Sequence, residues 1–169
     1  MLILEARIGK LALVFLFAIP APAQVNSWTN PASGHWEDPS WSLGVLPGAG
    51  QSVVITNAGY KAVAIFPSTA ANYPGSLTVS DLLLAAPGDG LTTLLLNYAG
   101  AAVPLKAQGA CEIDTNATLL NLYSSLEVDG TNNGSLFING GNLFQTGGSF
   151  SATNGSTIFQ SGVMALTNG

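Results

Sequence analysis

Two pairs of carboxylates have the spacing that could do chemistry. Glu112 and Asp114, and likewise Glu127 and Asp129, stand two positions apart, so on a strand each pair shares one face. Two carboxylates flanking one sugar are what a glycoside hydrolase needs. The same spacing also describes a solvated strand face, and charged residues are common along exposed strand edges. The second reading is the better supported. A lyase acting on an acidic polysaccharide would need Arg or Lys to meet the developing anion. Beyond Lys10 the chain has no arginine, and its only lysines are Lys61 and Lys106. A polysaccharide-active enzyme is the catalytic alternative to a protein without catalysis.

The other reactive side chains are isolated. His35 is the only histidine and Cys111 the only cysteine, whereas a zinc site draws on several such ligands. A nucleophilic triad would have to use His35, and no G-x-S-x-G accompanies it. Phosphate-binding loops with their G-K-[ST] lysine are absent, as are calcium-binding nonapeptides. We therefore expect no catalytic residue, no metal and no cofactor. Cys111 reads as a small buried apolar residue. Three tryptophans, Trp28, Trp36 and Trp41, are the one cluster with promise. They could form a platform that stacks on sugars, or they could cap the open end of a repeat fold. The cap is favoured.

Charge narrows the partners. The net charge is −5 and only 8% of residues are charged. Two isolated lysines cannot replace phosphate counterions, which excludes nucleic acid. Extracellular polysaccharide or cell-surface components are the partners that remain. Arg7 and Lys10 precede the apolar run 11–19, and Ala21-Pro22-Ala23 follows. That is the pattern of a secretory leader cut after Ala23. Nine apolar residues are too few to span a bilayer, which takes about 20. No later segment reads as a membrane span. A secreted or cell-surface location follows.

Such groups must be held by β-structure. Residues 24–50 carry all three tryptophans among Pro31, Gly34, Pro39, Gly44, Pro47 and Gly48, too many breakers for a helix. Short strands are predicted over 52–57, 61–66, 76–79, 92–97 and 125–129, separated by Gly, Pro and Asp turns. From residue 134 glycine recurs at every seventh position, 134, 141, 148, 155, 162 and 169. With each glycine counted as position one, the third and fifth positions of the unit are mostly apolar: Leu136, Ile138, Leu143, Phe150, Ala152, Phe159, Met164 and Leu166. Gln145 and Thr157 break the rule. Glycine fixed at one heptad position does not suit a coiled coil. One strand plus a glycine turn fills seven residues. Three such units make a coil of about 21 residues in a three-faced solenoid. The fold expected is all-β, a parallel β-helix with a Trp-rich N-terminal cap. A β-sandwich is the alternative. Corners are expected to take Gly and Asn, and outward side chains to be small and polar.

The opening stretch carries a resemblance. Gly34-His35-Trp36, then Trp41-Ser42-Leu43-Gly44, Pro47 and Val53-x-Ile55, is similar to the N-terminal signature of bacterial secreted β-helix proteins, including autotransporter-like surface proteins with β-strand repeats. The likeness covers Trp28 to about Val63. It implies a structural or adhesive surface protein and a Trp cap. Such proteins are usually longer, so a C-terminally truncated array is expected. The division expected is a leader over 1–23, a cap over 24–50 and solenoid repeats over 51–169. Asn116-Ala117-Thr118, Asn133-Gly134-Ser135 and Asn154-Gly155-Ser156 fit the N-glycosylation pattern, which matters only in a eukaryotic secretory route.

Overall fold

The structure is a computed structural model that describes residues 23–100, 103–129, 135–146, 149–153 and 156–167. The leader, apart from Ala23, lies outside the described residues, as do glycines 134, 148, 155 and 169 of the heptad series.

The chain is mostly β-strand, 55%, and its parallel strands stack into a β-solenoid of about 5 turns. The alternating patterns explain why. A strand with apolar residues at every second position buries one face and leaves the other to solvent. When the same pattern returns after each circuit, successive strands pair in parallel and their inward residues form columns. The first face comprises β1 (Gln24–Ser27), β3 (Gln51–Ile55), β6 (Asp81–Leu84) and β9 (Cys111–Asp114), then the first half of β12 (Ser135–Thr146) and of β14 (Ser156–Thr167). The second face comprises β2 (Gly34–His35), β4 (Tyr60–Ile65), β7 (Leu91–Leu96) and β10 (Ala117–Asn121), then the second halves of β12 and β14. The third is β5 (Thr78–Val79), β8 (Leu105–Ala107), β11 (Ser125–Asp129) and β13 (Ser149–Thr153).

The columns make the core. Val53, Leu82, Cys111 and Leu136 stack on the first face, and Val63, Leu94, Leu119 and Leu143 on the second. Leu105 and Leu126 stack on the third, with Phe150 beyond them. All but the partly buried Phe150 are buried, and all belong to or pack on one continuous cluster. No helix among the described residues is long and apolar enough to cross a membrane.

Coil length is not constant. Leu82 lies beneath Cys111, twenty-nine residues on, whereas Leu143 lies beneath Met164, twenty-one residues on. The 21-residue coil inferred from the glycine heptads is therefore the form of the last turn and of the circuit from β8 to β11, where Leu126 lies over Leu105, and not of the others. Longer turns accommodate excursions, chief among them α1 (Pro67–Asn72) and a 3-10 turn over Pro74–Leu77. Pro67 opens α1, where its missing N–H costs nothing, and the Thr69 hydroxyl accepts the Phe66 N–H at 3.1 Å.

Within residues 24–50, β1 and β2 pair in parallel with β3 and β4 and form the first circuit. Two expectations need correction. Outward positions are not all small and polar. Leu95, Leu120 and Phe144 stack outward on the second face and stay half-buried, because side chains about 4.8 Å apart cover one another. Nor does the rule for apolar positions hold to the end. Leu136 and Leu143 are buried, but Ala152 and Leu166 are exposed, since no described strand lies over β13 or β14. Gln145, which breaks the rule, is nonetheless buried at an inward position above Asn121.

Candidate functional site

The tryptophans occupy the core of the first circuit. Exposure is 2% for Trp28, 0% for Trp36 and 4% for Trp41. Trp41 meets Trp28 edge-on with centroids 5.3 Å apart, and Trp36 at 5.0 Å. Its Nε1–H donates to the Trp36 carbonyl oxygen at 2.7 Å. Such packing leaves no ring face for a sugar. The indole N–H groups of Trp28 and Trp36 are buried with no acceptor among the described residues. The motif around them has steric causes. A Cβ on Gly34 would lie 2.5 Å from the Asp38 carboxylate and 2.9 Å from the Trp28 ring. Gly44 has φ +68° and closes a turn onto Trp41. Asn26, missed in the sequence, is fully buried and holds the loop. Its amide donates to the Val45 carbonyl and to Gln51, and its oxygen accepts from Leu43 N–H.

The carboxylate pairs do share strand faces, but they lie on different sides of the solenoid. Glu127 and Asp129 point outward from β11, and one ammonium, Lys106 from β8, binds both at 2.8 Å. The hydrogen bonds that Lys106 donates to Asp129 and Glu127 raise its pKa. Glu112 and Asp114 point outward from β9. Asp114 accepts from the Thr115 N–H at 2.6 Å and from the Asn139 amide at 3.2 Å. Asp81 accepts from the Ser52 hydroxyl and from Ala110 N–H, tying three circuits together. These acids serve as rungs of the stack.

His35 is exposed and its ring meets Phe66 edge-on at 5.2 Å. Cys111 is buried in the first-face column, and burial, with the Glu112 charge adding, pushes its thiol pKa up to about 12. The two are not brought together. Among the described residues no group of three His, Cys, Asp or Glu side chains could hold a metal ion. No family model, curated protein or solved structure matches the chain. Function must therefore be argued from the site itself.

The concavity beside the tryptophans is a cleft of about 280 Å³ between the loop after β2 and the end of α1, lined by Glu37, Asp38, Trp41, Val45 and Tyr73, among others. Glu37 accepts from the Thr69 hydroxyl at 2.6 Å, joining loop to helix. No local pattern signals this meeting, because Glu37 and Tyr73 are brought together only by the excursion that α1 makes from the second face.

Proposed function

We propose that this chain is a non-catalytic, secreted or cell-surface segment, a rigid β-solenoid that acts as a structural or adhesive spacer. The supporting observation is the use made of its polar groups. Ionisable side chains that could have formed an active centre are instead spent along the stack: Asp81 between circuits, Asp114 at a corner, and Glu127 with Asp129 on one lysine. Continuous parallel registers on all three faces give a stiff body in which each circuit supports the next. The likeness of the Trp28–Val63 opening to secreted β-helix surface proteins, and the leader pattern before Gln24, point the same way. On this reading the partners are extracellular polysaccharide or cell-surface components, and no cofactor is involved.

The test combines export with turnover. The full chain, expressed in a bacterium with a C-terminal tag, is expected in the periplasmic or surface fraction with Gln24 as its first residue. It is expected to release no reducing ends or unsaturated products from a polysaccharide panel. Turnover that is lost in Glu127→Gln or Asp114→Asn, with the fold intact by circular dichroism, would overturn the reading.

A further inference from the structure

The cleft beside the tryptophans holds two carboxylates that are fixed in place but only half used. Glu37 is anchored through Oε2 on the Thr69 hydroxyl, and Asp38 through Oδ2 on the His35 N–H at 2.7 Å. No hydrogen bond among the described residues engages Glu37 Oε1 or Asp38 Oδ1. Thr69 is itself fully buried and also accepts the Phe66 N–H, so Glu37 is braced from behind. The remaining wall is apolar. Tyr73 is 45% exposed and Val45 55% exposed, and Pro39 and the buried Trp41 line the cleft with them. Among the described residues no Lys, Arg or His lines the cleft.

Carboxylates lining the same cleft as aromatic and aliphatic side chains suit a ligand with hydroxyl donors along one edge and C–H groups across one face. An anionic ligand would be repelled by two carboxylates with no cation near them. A compact cation would satisfy the carboxylates and leave the apolar wall without a partner. A volume of about 280 Å³ lies at the small end of ligand sites, room for one ring. We propose that this cleft binds one unit of a neutral saccharide, with Glu37 and Asp38 accepting from adjacent hydroxyls and Tyr73 packing on the sugar's C–H face. The site differs from a tryptophan platform, because the tryptophans are buried and Trp41 is only one part of its lining. It rests on the adhesive reading above and gives that reading a contact point.

The experiment is a titration of the full chain with neutral gluco-, manno- and galacto-oligosaccharides, followed by NMR. The Trp41 indole N–H, held on the Trp36 carbonyl, serves as a reporter in the lining of the cleft. At least one neutral sugar is expected to shift that resonance. Tyr73→Ala is expected to weaken binding up to about tenfold, the scale of one aromatic contact. Glu37→Gln, which can still accept from Thr69, tests the carboxylate separately, and weakening there with an unchanged spectrum elsewhere supports the proposal. The proposal is overturned if no neutral sugar shifts the Trp41 signal at millimolar concentration. Binding that survives both substitutions, or a quaternary amine or acidic sugar binding instead, also overturns it. Reducing ends measured in the same samples keep the two readings apart: absence of binding without turnover removes only the cleft, whereas turnover removes the spacer.

Discussion

Individual residues in this protein act mainly by being withdrawn from water. Tyr98 is the clearest case. It is buried, its hydroxyl donates to the Ser125 carbonyl at 2.7 Å and accepts from Leu105 N–H at 2.6 Å, so it ties one circuit to the next. Burial pushes its pKa up to about 12, while in an unfolded chain tyrosine ionises near 10. The folded state thus holds the proton more tightly. Its stabilising effect is complete below about pH 10 and fades as pH rises towards 12. Tyr98→Phe is expected to cost about 1–3 kcal/mol in urea unfolding at pH 7 and to flatten the alkaline loss of stability. Lys61 has the opposite sign. It is buried, its ammonium donates to the carbonyls of Asn57 and Ala58, and burial lowers its pKa. Its contribution therefore improves as pH rises towards 10.5 and partly masks the tyrosine effect, which is why the Phe variant is the measurement that separates them. Cys111, with its thiol raised to about 12, is expected to stay unreactive towards a thiol-specific reagent at pH 8 and to react only on unfolding. Labelling of the native protein on the timescale of an unfolded control would contradict the burial.

Strands and corners show what could be read from the sequence and what could not. The stretch 125–129 forms β11 as predicted, and 92–97 and 61–66 match β7 and β4 to within a residue at each end. Alternation was enough there, because the side-chain period of a strand is local information. β1, β2, β6, β8, β9 and β10 went unpredicted. Asp-Leu-Leu-Leu in β6 offers no alternation, and Leu-Lys-Ala in β8 has three residues. What makes these segments strands is the neighbouring circuit, many residues away. α1 was invisible for a related reason, since six residues cannot show a helical period. The candidate cleft was less legible still. The sequence drew attention to the tryptophans by type, and the structure places the usable groups, Tyr73 and the two acids, around them. Glycines told more. Gly141 and Gly162 are stacked where the first face turns into the second, and Gly162 has φ +109°. A Cβ on Gly162 would collide with the Gly141 carbonyl oxygen, and one on Gly141 would lie 2.6 Å from that of Asp114. Gly162→Ala is expected to cost about 2 kcal/mol or more locally. Hydrogen exchange should show lost protection in β12 and β14, with β4 and β7 unchanged.

At the scale of the molecule, stability is a chain of neighbour terms, because each circuit touches mainly the ones above and below. The first circuit is paired with the second through β3 and β4, and Trp36 is its most buried large ring. Trp36→Ala is expected to cost about 3–5 kcal/mol. Loss should appear first in protection of β1 to β4, and tryptophan emission should shift to the red. An unchanged exchange pattern would mean that the first circuit is not anchored by these rings. The unequal lengths of the circuits carry a further consequence. Early turns are longer and hold different excursions, α1 in one of them, so none can stand in for another. The last turn is built from glycine heptads alone, and three heptads return the chain to the same face in the same register. Removing or duplicating such a block changes no side chain's orientation, whereas losing a single residue would turn a strand inside out. The part of a gene that encodes the irregular circuits must therefore be inherited intact. It is followed by a stretch in which unequal recombination can alter copy number, and the reach of the folded product then changes in steps of about 4.8 Å.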